Sequence, residues 1–416
     1  MLMVDGETGH VAGDSNPTHQ NVGMGRAHGT LRLAMLLLST LSWAGCAGVT
    51  IDGGSNGSDG TINPSTIVDG NQDTTLTSDQ GKTSGEPNGD FANAVFAVFD
   101  SNGSAKLQGV VAATGDLDVF NLGALARGTR IRIDTDTTAL QSNLDVSIAL
   151  YDAEFRLVNN NDDRLISDLD ALVDWIVYND SSTYYLVVSH SAFAARNTFT
   201  GSYLADIQLT TGVTVPEPTP QTILLNFDGG LVESESLGTQ QIAPFDASAI
   251  SLQYDGQDQL MKDAIVASVR ENFEGFNIEI ITSDDPRPGA GTAVSEVFLG
   301  GFSETTFGIA ESVDLYNLNR CDDGIIYTES FSPFQFGFVP SAEALAIAIG
   351  NVTAHEAGHL LGLNHVDDDN ALMDDVSPAA ALLDDQEFME APVSDDIIPI
   401  GFQDAVFLLS DIVGLR

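Results

Sequence analysis

The run His355-Glu356-Ala357-Gly358-His359-Leu360-Leu361-Gly362-Leu363-Asn364-His365 constrains this 416-residue chain more than any other stretch. The apolar residues before it, 342–352, predict the first turns of a buried helix. Positions four apart on a helix share a face, so His355 and His359 can aim their rings at one point. Imidazole nitrogens placed in that way suit two corners of a tetrahedral zinc site. Glu356 sits one residue on, where its carboxylate can reach a water on that metal without ligating it. Gly362 ends the helix, because glycine takes the left-handed conformation at little steric cost. The turn brings His365 back as a third ligand and leaves a fourth position for water, as in catalytic and not structural zinc sites. Chance is a poor explanation for five positions fixed within eleven residues. Of the seven histidines, these three are the only ones after Val213.

The string resembles the metzincin metalloprotease signature, and Ala371-Leu372-Met373 resembles that clan's Met-turn, the methionine loop beneath the zinc. The interval from His365 to Met373 is similar to that of the matrixins, although Asp374 stands where matrixins usually continue with an aromatic and a proline. No tyrosine follows the methionine closely, so the extra tyrosine ligand of astacins and serralysins is not expected. The resemblance implies an α+β zinc protease domain with a mixed twisted sheet and an active-site helix. Within it, His355, His359 and His365 would hold Zn2+, Glu356 would be the general base, and Gly362 and Met373 would support the site. The pattern of residues 221–416 agrees with that order: strands at 222–227, 276–282, 306–310 and 324–328, and helices at 258–273 and 403–413. Leu260, Ile265, Val266 and Val269 form the apolar stripe of the first of these helices. Gly308-Ile309-Ala310 is a candidate edge strand onto which a substrate could add.

Charge narrows the partners. Sixty acidic against fifteen basic residues give a formal net charge of -45, which argues against nucleic acid and favours solubility, salt tolerance or Ca2+ binding. Two cysteines provide no disulfide framework. Cys321 reads as a small, partly buried free thiol, since the motif of a matrixin cysteine switch is absent around it. Asp314, Asp322 and Asp323 read equally as a calcium loop or as solvated turn residues, and Asp367-Asp368-Asp369 as a solvated run.

Residues 1–46 read as an export segment. The apolar run 31–43 has the length of a signal h-region, is too short to remain as a membrane span, and follows Arg26 and Arg32. Ala44-Gly45-Cys46 resembles a bacterial lipobox with Trp43 in place of the usual leucine, which implies lipidation of Cys46; plain secretion is the rival. Residues 1–23 are unlike an n-region, so Met24 is the better start. The expected location is extracellular or the bacterial cell surface, outer-membrane lipoprotein included, with membrane contact only through that lipid.

Between signal and protease the composition changes twice. Residues 47–90 are rich in Gly, Ser, Thr and Asp, too poor in apolar area to fold, and predict a flexible tether. Residues 91–212 carry short β-rich runs at 95–99, 117–122, 129–134, 146–151, 175–178, 184–189 and 202–209, each bounded by turn residues. This spacing predicts an all-β sandwich. Gly115-Asp116-Leu117-Asp118-Val119-Phe120, Leu144-Asp145-Val146, Thr183 to Val188 and Gly201-Ser202-Tyr203 resemble the bacterial pre-peptidase C-terminal domain, an accessory module of secreted proteases. Asp116, Asp118, Asp162 and Asp163 read as turn carboxylates or as calcium ligands. The proline-rich linker 213–220 predicts few contacts between the two halves, so a fragment from Gln221 should fold alone. The expectation is a zinc endopeptidase acting on protein or peptide substrates. Its rivals are a surface adhesin that has lost activity and a metal amidase acting on small peptides.

Overall fold

The computed structural model describes residues 67–69 and 88–416, apart from 166, 235, 290, 376 and 377. The export segment, Met24, Cys46 and most of the tether lie outside the described residues. No described helix is long and apolar enough to cross a membrane.

The first half is rich in sheet. Its strands are β1 (Ile67–Asp69), β2 (Val95–Phe96), β3 (Ser104–Val111), β4 (Asp118–Leu125), β5 (Arg130–Asp136), β6 (Val146–Tyr151), β7 (Leu157–Asn161), β8 (Leu172–Ile176), β9 (Ser181–His190) and β10 (Gly201–Thr210). They form two five-stranded sheets, in the orders β1-β3-β10-β5-β8 and β2-β4-β9-β6-β7. One core draws on both sheets: Leu107, Ile131, Ile133, Trp175 and Ile207 from the first, Phe120, Ile148, Leu150, Leu186 and Val188 from the second. Alternation explains β5, where Ile131 and Ile133 are buried while Arg130 and Arg132 face water. It fails for β6, which is buried at all six positions. Both faces of that strand are covered, so it reads as an apolar run interrupted only by Ser147.

The cover on the outer face comes from the second half of the chain. Val119, Ala149, Tyr151, Leu157 and Val187 pack with Val393, Ile397 and Ile398 in a separate cluster. The Tyr151 hydroxyl donates to the Ile400 carbonyl at 2.8 Å, and the Phe402 N–H donates to the Phe155 carbonyl at 3.0 Å. Tyr178 and Tyr316 stack with centroids 4.7 Å apart, and the Tyr316 hydroxyl donates to the Val158 carbonyl at 2.8 Å. The proline-rich stretch is itself tied down, with the Thr219 N–H on the Ile412 carbonyl at 2.9 Å. The expectation of few contacts across the linker is therefore corrected. Proline restricts the chain locally, but the apolar outer face of β6 and its neighbours decides what packs there.

The second half begins with β11 (Gln221–Asn226), the hairpin β12 (Gly230–Ser234) and β13 (Gly238–Ile242), α1 (Ala247–Ile250) and α2 (Asp258–Asn272). It continues through β14 (Ile278–Thr282), β15 (Val294–Leu299), β16 (Gly308–Ala310), β17 (Asp323–Ile326), α3 (Pro333–Phe336) and α4 (Ala342–Leu360). It closes with β18 (Glu390–Pro392), β19 (Phe402–Asp404) and α5 (Ala405–Ile412). The main sheet runs β14-β11-β15-β17-β16 and is mixed: its pairs are parallel except β16 with β17, and β16 is an edge. Both α2 and α4 belong to the core built on this sheet. On α2 the buried stripe is Met261, Ile265, Val266 and Val269, whereas Leu260 is exposed, one position out of phase with the expectation.

Cys321 is half-buried and disulfide-bonded, which corrects the expectation of a free thiol. The other cysteine of the sequence, Cys46, lies outside the described residues.

Candidate metal centre

Helix α4 sets the site. The Ser341 hydroxyl accepts the Ala344 N–H at 3.1 Å and caps its start. Its small and aliphatic residues let it run buried through the core. Gly362, at φ +92°, turns the chain after the helix. A Cβ there would also stand 2.7 Å from the Asp314 carbonyl oxygen, so handedness and close backbone approach both demand glycine.

The three histidines converge as the spacing predicts. The His359 Nε2 lies 3.0 Å from that of His355 and 3.1 Å from that of His365. Each Nδ1 is engaged on the outside: His355 with the Leu372 carbonyl at 2.8 Å, His359 with the Leu363 carbonyl at 2.7 Å, and His365 with Asp396 Oδ2 at 3.0 Å. A ring that donates from Nδ1 keeps a lone pair on Nε2, so three lone pairs point at one another. A cation resolves that repulsion. Zinc bound at roughly 2.0–2.1 Å in tetrahedral geometry separates its nitrogens by about 3.3 Å, close to what is seen, so the residues fit zinc. Outer acceptors of this kind orient metal-binding imidazoles.

Electrostatics sharpen the arrangement. Burial, with the charge on His365, pushes His355 down to about 3, and burial likewise holds His359 well below its ordinary value. Burial also opposes charge on His365, but the hydrogen bond and charge of Asp396 outweigh it and raise that ring. Glu356 is 2% exposed, and burial pushes its carboxyl up to about 8 against the pull of His365 and the Ala310 N–H. It lies against the edge strand: a Cβ on Gly308 would stand 2.5 Å from Glu356 Oε1. Met373 is buried beneath α4, its sulfur 2.7 Å from where a Cβ on Gly358 would be.

Among the described residues, groups of three or more His, Cys, Asp or Glu donors within 4.8 Å are the histidine triad and His365 with Asp375 and Asp396. Asp116, Asp118, Asp162 and Asp163 form no such group. Asp118 instead takes the Asn88 amide at 2.7 Å and the Tyr203 hydroxyl at 2.6 Å, and Asp116 takes the Ala112 N–H at 2.6 Å. Asp322 is fully buried and hydrogen-bonded by the Ser295 hydroxyl at 2.7 Å, so it is not a solvated turn residue. Nothing in these carboxylates shows calcium. Sequence reasoning missed Asp396, which sits in an acidic pair that looks like surface. It singled out Gly308 on the edge strand, but not its close approach to Glu356.

Residues 252–397 match the family model described as Matrixin. The fold is also similar at low score to archaemetzincin from Methanopyrus kandleri (15% identity, TM-score 0.22, covering 41% of this chain and 89% of that one). The pre-peptidase C-terminal domain of a collagenase from Bacillus anthracis is similar at 13% identity and TM-score 0.21, covering 28% of this chain and 94% of that one. The periplasmic lysozyme inhibitor PliG from Aeromonas hydrophila is similar at 15% identity and TM-score 0.22, covering 28% of this chain and 96% of that one. No curated protein matches the chain. The matched segment and the histidine triad support a zinc metallopeptidase in the second half. Within that class its resemblance is to the matrixins of the metzincin clan.

Proposed function

We propose that the chain is an exported zinc endopeptidase. The observation that carries this is the meeting of three outward-anchored imidazoles through their Nε2 atoms. When bound there, zinc would polarise the scissile carbonyl and acidify a water. Glu356 would take that water's proton on its carboxylate and pass it to the leaving amine. Its burial keeps the carboxyl basic enough to do so near neutral pH, and the positive charge of a bound metal would draw its pKa below the value of about 8 reached without the metal. The edge strand β16, beside Glu356, supports an extended peptide added as a further strand. A β-sandwich accessory domain over 91–212 and a catalytic domain over 221–416 complete the reading.

Casein and gelatin digestion by the purified full chain, with and without a zinc chelator, is the test, paired with metal analysis. Digestion that stops on chelation and returns with zinc is expected. Hydrolysis confined to short peptides would replace the reading with an amidase, and a zinc-loaded chain with no hydrolysis would replace it with a binding protein.

A further inference from the structure

The third histidine is held differently from the other two. His355 and His359 ride on α4, and their outer partners, the Leu372 and Leu363 carbonyls, belong to the second half of the chain. His365 follows Asn364, a buried residue whose backbone is gripped on both sides by one side chain. The Asn364 N–H donates to Gln403 Oε1 at 2.7 Å, and Gln403 Nε2 donates to the Asn364 carbonyl at 2.7 Å. The Asn364 side chain turns the other way, to β7 in the first half. Its Nδ2 donates to Asn160 Oδ1 at 3.1 Å, and Asn160 Nδ2 donates back at 3.4 Å.

The segment that carries Asp396 also leans on the first half. The Ser394 N–H donates to the His365 carbonyl at 3.2 Å, and Asp396 takes the His365 Nδ1–H at 3.0 Å. Val393, Ile397 and Ile398 flank these contacts and are buried against Val119, Ala149, Leu157 and Val187. The Tyr151 hydroxyl fixes the Ile400 carbonyl. Gly401, at φ +76°, passes so close that a Cβ would stand 2.5 Å from Tyr151 Cε1. One residue on, Phe402 is hydrogen-bonded to Phe155, immediately before the Gln403 that grips Asn364.

We infer that the two-sheet region is a working part of the metal centre: through Asn160, Tyr151 and the apolar face around them it positions His365. This rests on the reading of the triad as a zinc site. Asn160 and Tyr151 are positioning residues, acting through Asn364 and the 393–403 segment and touching neither metal nor substrate. Loss of a group that orients a metal ligand costs about 10- to 100-fold in metal affinity. Asp396→Ala, which removes the direct partner of His365, belongs at the upper end of that range, and Asn160→Ala, one residue further out, near the lower end.

The test uses the full chain, with zinc affinity measured by chelator competition and ligand geometry read from the visible absorption of the Co2+-substituted protein. Expected are about tenfold weaker zinc binding and shifted cobalt bands in Asn160→Ala. Asn160→Asp should recover much of both, because it keeps the oxygen that accepts from Asn364. Tyr151→Phe, which removes only a hydroxyl, provides a second variant with little risk to folding. Lys106→Ala, in the other sheet, should match wild type. Unchanged zinc affinity and cobalt bands in both Asn160→Ala and Tyr151→Phe, with wild type binding one zinc, would overturn the inference and leave the proposed function standing. A wild-type chain that takes up no zinc would overturn both.

Discussion

Helix α4 and the segment from Leu361 to Gln403 contribute to the same centre by opposite means. The helix sets the spacing of His355, Glu356 and His359 by its own repeat, and only the ring orientations of the two histidines draw on the Leu372 and Leu363 carbonyls beyond it. The later segment has little regular structure around His365 and reaches a defined geometry only through partners far away in sequence: Asp396, Gln403 and Asn160. Local order is cheap to encode and legible; distant order needs several surfaces to agree.

The largest effect should come from breaking the helical side. His359→Ala removes a ligand at the middle of the triad, and zinc content and folding stability should fall together, as metal analysis and thermal melting of the same sample would show. Zinc retained at one per chain would mean that the helix pair is not the anchor. Glu356→Ala should keep its zinc and lose activity by at least about 10²- to 10⁴-fold. In the parent protein kcat/KM should fall as pH drops, because the base must be ionised. The midpoint should lie below the value of about 8 reached without the metal, since the metal's charge favours the carboxylate. A profile that falls only on the alkaline side would remove Glu356 from the base role.

Smaller effects sharpen the contrast at the margins of the helix. Gly308→Ala places a methyl group 2.5 Å from Glu356 Oε1, so the carboxylate must shift while the three imidazoles stay put. Activity should drop with zinc affinity unchanged; a misplaced catalytic group can cost about 10²-fold, which bounds the loss. Equal activity would show that the edge strand yields instead. Met373→Leu should be the mildest, a swap of similar volume costing less than about 1.5 kcal/mol, with zinc affinity unchanged by the same chelator assay.

What the sequence showed follows the same division. Helix α4, its end near Gly362 and the convergence of His355, His359 and His365 were legible because the helical repeat and a glycine break are written in consecutive residues. So were strands such as β6, predicted at the bounds it adopts. Strand β3 was missed because Gly109 and the adjacent Val110-Val111 break the alternation that Ser104 to Gln108 begin, and β7 because three asparagines end it like a turn. Asn160 and Asn159 look like loop residues until the face they meet is known. Asp396 stayed hidden for the same reason: its role exists only once His365 is beside it.

Because α4 is both the central strut of the core and the carrier of two ligands, occupancy and persistence are linked. A ligand that binds only the folded chain adds about 2.7 kcal/mol when its free concentration is a hundred times its dissociation constant. Calorimetry with and without chelator should therefore show a lower melting temperature in the stripped protein. Local unfolding would then rise as zinc falls. For the endopeptidase proposed above, ambient zinc would set how long the folded chain survives cleavage by its own kind as well as how fast it works.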